Sequence, residues 1–183
     1  MKKIIPVFLL LGLLVVVVSC KKIIKALFPG FDIELSTITL TLPAIPFAPP
    51  SEVHIATFNQ HFNLDSIVKA QTGGKFGTAD VGSIKVKEII FTLSNPDQQN
   101  NLANFESARF TLSSSSNSQP AEIAAIHFPD QYAETYTFTA DPSTPDLISY
   151  LQGTELTYDV YGKLRRITTK PLTITLKVTV RFS

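Results

Sequence analysis

Residues 171–182 read Pro-Leu-Thr-Ile-Thr-Leu-Lys-Val-Thr-Val-Arg-Phe. Leu172, Ile174, Leu176, Val178 and Val180 alternate with Thr173, Thr175, Lys177, Thr179 and Arg181. A period of two is the mark of a β-strand, whose successive side chains point to opposite faces. One face is therefore buried and the other wet, as in an antiparallel sheet covered on one side. Working backward, residues 154–164 form a second strand. Lys163, Arg165, Arg166 and Lys170 lie around the junction, so the two are expected to form a terminal pair joined by a basic turn.

The same reading extends toward the front. Residues 31–42 (FDIELSTITLTL) alternate in two registers, with a slip at Ser36-Thr37 that predicts a bulge. Residues 43–50 carry four prolines and cannot lie in a central strand. Further strands are expected at 52–59, 83–94, 105–112, 122–128 and 132–140. Between them, 95–104 reads as loop or helical turn and 113–118 as a loose connection.

Two short helices complete the pattern. One spans 63–74, with Asn63 as N-cap and glycines as the stop. The other spans 145–152, with Thr144 capping, Pro145 first and Gly153 ending it. Leu147, Ile148 and Leu151 give that helix an apolar face, to plug one end of the sandwich or to act as a lid over an apolar cavity.

Thirteen Phe, five Tyr and no Trp, with abundant Val, Ile and Thr, favour sheet over helix. The expected class is all-β: a two-sheet antiparallel, immunoglobulin-like sandwich with one or two short helices, preceded by a signal peptide. Its 16 basic and 15 acidic residues nearly cancel, so no field gathers nucleic acid.

The first twenty residues follow a different grammar. Lys2 and Lys3 precede the unbroken apolar run 4–18, and Ser19-Cys20 closes it. As a helix that run rises only about 22 Å, against a hydrocarbon core of about 30 Å. Val17-Val18-Ser19-Cys20 resembles the lipobox of bacterial lipoprotein precursors. Val17 stands where leucine is commoner, and Lys21-Lys22 follow the cut. The resemblance implies cleavage before Cys20, lipidation (palmitate) of that cysteine and a membrane as partner. The organisation becomes signal peptide 1–19, lipidated tether 20–30 and a single β-sandwich domain 31–183. Lys21, in place of an acidic residue, favours the outer membrane, facing the periplasm. Ile23, Ile24, Leu27 and Phe28 share a helical face, either interfacial or docked on the domain.

Chemistry is harder to find. Glu52, His54, His61 and His127 lack convincing metal spacing, and no metal or cofactor is expected. Gly73-Gly74-Lys75 has neither the spacing nor the setting of a phosphate loop. Asp130, Glu134, Asp141 and Asp146 surround turns and are the candidate acids for a carbohydrate-active enzyme. Tyr132, Tyr136, Tyr150, Tyr158 and Tyr161 are open to sugar stacking or core packing. Asp65-Ser66-Ile67 resembles an O-glycosylation acceptor, but a tripeptide match is cheap and a helix start is the default reading.

Ser94-Asn95-Pro96, residues 105–112, Leu156-Thr-Tyr-Asp-Val-Tyr-Gly162 and the last strand together resemble the water-stress or late-embryogenesis type of β-sandwich, over about 82–182. That resemblance implies a binding or protective module and transfers no catalytic residue. The expectation is a lipid-anchored cell-envelope protein with a non-catalytic binding or structural role, its partner an envelope protein, a glycan or an apolar ligand. The alternatives are a carrier of lipid-like ligands and a hydrolase using the loop carboxylates.

Overall fold

The computed structural model describes residues 27–183. The signal run, Cys20 and most of the tether lie outside the described residues. Eight strands follow: β1 (Phe31–Leu42), β2 (Val53–His61), β3 (Ile84–Leu93), β4 (Phe105–Ser114), β5 (Ala121–His127), β6 (Thr135–Thr139), β7 (Glu155–Leu164) and β8 (Leu172–Phe182). Helix α1 (Leu64–Thr72) lies between β2 and β3, and the single turn α2 (Ile148–Leu151) between β6 and β7.

The strands form two four-stranded antiparallel sheets, ordered β1-β8-β3-β6 and β2-β7-β4-β5. The pairing is nested: β1 with β8, β2 with β7, β3 with β6, and β4 with β5. The chain thus behaves as one long hairpin that turns between β4 and β5 and is rolled into a sandwich. Within the sandwich class, this connectivity is that of a jelly roll.

In β8 the alternation holds residue for residue. Leu172, Ile174, Leu176, Val178, Val180 and Phe182 are buried, whereas Lys177 and Arg181 are exposed. β8 lies between β1 and β3, and Phe182 stacks on Phe31 of β1 at 4.7 Å. The two sheets meet in one core, where Phe91 of β3 touches Phe110 of β4 and Phe128 edge-on, at 5.6 and 5.3 Å. The bulge in β1 falls at Glu34/Ser36, close to the slip in the alternation. α1 is capped as its sequence requires. Asn63 Oδ1 accepts from Ser66 N at 2.9 Å, and Gly73, at φ 61°, closes the helix in the left-handed conformation.

Four expectations need correction. β7 and β8 are not a terminal pair, because they belong to opposite sheets. The segment between them crosses the end of the sandwich, where Arg165 holds it to the facing loops. The helix expected over 145–152 is only one turn, and Thr144 does not cap it. Asp146 Oδ1 takes that role, accepting from Ile148 N at 2.9 Å, while Thr144 Oγ1 is left without a partner. Gly153 does follow the helix end, with its amide donating to Tyr150 O at 3.3 Å; its φ is not positive, and a glycine is needed because Ser115 and Ser116 come too close for a side chain. The serine run is not loose either: Ser114 is buried and Ser116 Oγ donates to Ser149 O at 2.7 Å.

Candidate binding cleft

β1 and β2 end their respective sheets, and a cleft of about 320 Å³ opens between them. Thr37, Ile38 and Thr39 of β1 form one wall, and Phe58, Asn59 and Gln60 of β2 the other. Tyr158 of β7 also lines it. Gln60 reaches across from sheet to sheet, its Nε2 donating to Leu35 O at 2.9 Å. The β2 alternation places Ala56, Phe58 and Gln60 on the inner side, opposite Val160, Tyr158 and Leu156 of β7.

Two polar atoms of these lining residues are unsatisfied, each sealed from solvent and not open to the cleft. Gln60 Oε1 and the Tyr158 hydroxyl are buried without a hydrogen-bond partner. Tyr158 is only 2% exposed, and burial pushes its phenol well above the ordinary value of 10, so the hydroxyl stays protonated. No charged side chain lines the cleft. Glu34, at its rim, is already engaged: it accepts from Thr37 Oγ1 at 2.7 Å and lies 3.7 Å from Lys177.

The loop carboxylates do not converge. Glu134 lies by the end of β3, where its carbonyl accepts from Leu93 N; Asp146 lies by the start, where its carboxylate accepts from Ile84 N. The whole of the ten-residue β3 lies from one point to the other, about 30 Å at roughly 3.3 Å per residue. Each acid is also occupied. Asp130 pairs with Arg166, Glu134 accepts from the Tyr132 hydroxyl, and Asp141 accepts from Ser143 N at 2.7 Å. The Ser143 contacts hold the Asp141 carboxyl below the ordinary carboxylate value. Glu134 and Asp146 are therefore too far apart to act as a glycosidase pair.

The histidines are dispersed as well. His54 and His61 lie on β2 and His127 on β5, the two opposite edges of one sheet. Among the described residues no three His, Cys, Asp or Glu side chains gather as a metal site. His54 does meet Thr57 and Asp159, at 3.1 and 3.2 Å, in a group that superficially resembles a nucleophile–base pair. However, the same Nε2 faces both, and Thr57 gives its proton to Asp159 at 2.5 Å. A base must take the hydroxyl proton through one ring nitrogen and be oriented through the other, so this group does not activate Thr57.

The tyrosines divide by setting. Tyr158 is core, Tyr136 packs edge-on against Phe128 at 5.3 Å, and the ring of Tyr161 is covered by the Arg109 guanidinium at 4.0 Å. Arg109 is in turn held by Glu52 at 2.7 Å, which raises its pKa. Tyr132 is the most exposed of the five. Gly73 and Gly74 end α1, and Ser66 lies exposed in its first turn.

The interior has little room. The void between the sheets, lined by Leu40, Ile55, Phe91, Phe110 and Leu176 among others, measures about 30 Å³. That is close to the room of a single water and far below the roughly 300 Å³ at which small-molecule sites begin. A carrier of lipid-like molecules does not fit this interior.

The cleft residues carried one sign in the sequence. Gln60 occupies an inward position of β2 where the alternation calls for an apolar residue. The walls themselves come from two edge strands brought together only by the nested pairing.

No protein-family model matches the chain, and no curated protein does. Solved structures show likenesses of fold alone. One is the structure of infectious bursal disease virus, Gt strain, at 9% identity and TM-score 0.36, covering 84% of this chain and 32% of that one. The Gx strain of the same virus matches at 8% identity and TM-score 0.31, over 84% and 31%. The chain thus spans about a third of the viral chains' length. The family 32 carbohydrate-binding module of C. perfringens NanJ, in complex with galactose, matches at 10% identity and TM-score 0.38, over 81% of this chain and 99% of that one.

Proposed function

We propose that this chain is a lipid-anchored protein of the bacterial cell envelope, tethered through Cys20, whose sandwich binds a ligand without performing chemistry. The binding half rests on one observation: a cleft of about 320 Å³ opens between the edge strands β1 and β2, and no histidine, cysteine, lysine, arginine or carboxylate lines it. Glu134 and Asp146 lie at opposite ends of β3, and all four loop acids are engaged by neighbours, which leaves hydrolysis by them without support.

The anchoring half rests on the sequence Val17-Val18-Ser19-Cys20. Lys21 next to the lipidated cysteine supports placement in the outer membrane, on its periplasmic side. The folded strands begin at Phe31, so only a short tether separates the sandwich from the anchor. Labelling of the expressed protein with a fatty-acid analogue tests this half. Wild type is expected to incorporate it and Cys20→Ser to lose it entirely; a serine variant that keeps the label rules out lipidation at Cys20. The binding half is tested by ligand titration, with the chemistry of the cleft defining the probes.

A further inference from the structure

We infer that the sandwich stands on the membrane by one particular end. The end bearing Phe28, the close of β8 and the turn after α1 faces the lipid surface. The opposite end, bearing the 95–104, 129–134 and 165–170 loops, faces away from it. This rests on the anchoring reading above and adds to it the membrane-facing surface of the domain.

The chain is fixed to the domain before its first strand. The Phe28 ring lies 5.5 Å from that of Phe31, the first residue of β1, and 5.5 Å edge-on from Phe76, shortly after α1. Phe31 in turn stacks on Phe182, the last residue of β8, at 4.7 Å. Aromatic pairs at such spacings attract beyond the area they bury. Gly30 completes the clamp. Its amide donates to Phe28 O at 3.1 Å, and a Cβ there would lie 2.8 Å from Phe182 O. The chain therefore leaves the domain at Leu27, which is 67% exposed.

Tether length then decides the orientation. Eight peptide units join Cys20 to Phe28. They reach about 29 Å at most, at roughly 3.6 Å per residue fully extended, and every other conformation is shorter. From Phe182 back to Leu172, β8 alone rises about 33 Å at roughly 3.3 Å per residue. The loops beyond Leu172 add to that height. To set those loops on the membrane, the tether would have to climb the full length of the sandwich. It is too short.

The surface taken alone suggests the reverse. Phe47, Val53, Tyr132 and Ile167 are exposed, and all four lie at the far end, where they look like a tip that dips into lipid. The tether keeps them in the aqueous space, together with the open pocket lined by Gln98, Gln99, Arg166 and Ile167. The β1/β2 cleft lies on the flank, because its wall residues Thr37 and Thr39 pair with Lys177 and Thr175 in the middle of β8. Pocket and cleft both stay open to a ligand arriving from solution.

The test places dyes on the lipidated full chain in vesicles of phosphatidylethanolamine and phosphatidylglycerol. Cys20 is the only cysteine, and lipidation consumes its thiol, so an introduced cysteine is the one labelling site. Lys75→Cys marks the near end, Thr39→Cys the β1 edge and Gln98→Cys the far end, all at exposed positions. Energy transfer from each dye to acceptor lipids is read on protein that floats with the vesicles. Transfer is expected to be strongest from the dye at Lys75→Cys, weaker at Thr39→Cys and largely lost at Gln98→Cys. Phe28→Ala should narrow the gap between the first and the last. The eleven units from Cys20 to Phe31 then available reach about 40 Å at roughly 3.6 Å per residue, enough to let the domain turn over. Equal transfer from the two ends, or the strongest from Gln98→Cys, overturns the orientation and leaves the anchor intact. The strongest transfer from Thr39→Cys overturns it likewise, the domain then lying on its β1 edge. Wild type that takes up the thiol dye, or fails to float, overturns the anchoring reading and this inference with it.

Discussion

Ile84, the first residue of β3, gives both its main-chain groups to the segment that enters α2. Its amide donates to Asp146 Oδ1 at 3.1 Å, and its carbonyl accepts from Leu147 N at 2.7 Å. Asp146 uses the same oxygen to cap α2 through Ile148 N. One carboxylate therefore ties the helix to the sheet and starts the helix. Leu147 and Leu151 then sit in the core at 1% and 0% exposure. A lid would need a hinge and a cavity beneath it; here both main-chain groups of a strand residue are bonded, and the void inside holds about 30 Å³. The helix closes the end of the sandwich.

Leu151→Ala should consequently destabilise the protein by roughly 2–5 kcal/mol, the range for deleting a fully buried leucine. Chemical denaturation checks this. Hydrogen exchange should show the Ile84 and Leu151 amides protected as strongly as those of β8. Fast exchange at both amides in a protein whose β8 is protected would mean that the helix opens on its own.

Arg165 and Arg166 are neighbours with different work. Arg165 donates to the carbonyls of Ala103, Phe105 and Phe128, at 3.0, 3.0 and 2.9 Å, joining three chain segments. Arg166 pairs with Asp130 at the surface, both side chains 52% exposed. Arg165→Met should cost roughly 2–4 kcal/mol, because hydrogen bonds to a charged donor are lost and part-buried carbonyls are left unpaired. Arg166→Met should cost about 1 kcal/mol or less. Similar losses for the two variants would refute this division.

The same pair shows what could be read in advance. That β8 buries alternate residues was legible, because a strand's two faces are written into its own sequence. The Asn63 cap and Gly73 stop of α1 were legible for the same local reason. That the basic residues around 163–170 cross between sheets was not, since nothing local distinguishes a hairpin turn from a crossing. Phe31 pairs with Phe182 from the other end of the chain, and such a contact leaves no mark in either strand. The cleft suffers most from this. Its walls are ordinary edge-strand residues, and only Gln60, polar at an inward position, departs from the local pattern.

Gly153 offers a test of close approach as distinct from backbone conformation. A Cβ there would lie 2.7 Å from Ser115 Oγ and 3.0 Å from Ser116 N. Gly153→Ala should cost roughly 1–3 kcal/mol through overpacking. Adding Ser115→Ala should recover part of the loss and no more, because the Ser116 amide belongs to the backbone. Gly73→Ala, in open space at φ 61°, should cost about 1 kcal/mol through conformation alone. No recovery in the double variant would show that the Ser115 hydroxyl is not the obstacle.

Asp97 should make the β3–β4 loop sensitive to acid. Lys170 Nζ lies 2.6 Å from its carboxylate, which also accepts from Asn100 Nδ2, Gln99 N and Asn100 N at 2.9, 2.9 and 2.8 Å. The lysine first, then Asn100, lowers its pKa from the ordinary 3.8 to about 2. A carboxyl depressed by folding contributes its stability in full above its unfolded value, where both states are ionised. Between pH 3.8 and about 2 the unfolded chain takes up the proton first, so stability falls with pH across that window. Below about 2 the contribution is gone. Asp97→Asn keeps one accepting oxygen and removes the charge, so it isolates this effect. The variant should be less stable than wild type at pH 6, and the difference should close as the pH falls toward 2. Added salt should narrow it too, because Lys170 and Asp97 are 36% and 43% exposed. Paired denaturation curves across pH measure the difference directly. A gap that stays constant from pH 6 to 2 would assign it to lost hydrogen-bond geometry and not to the charge.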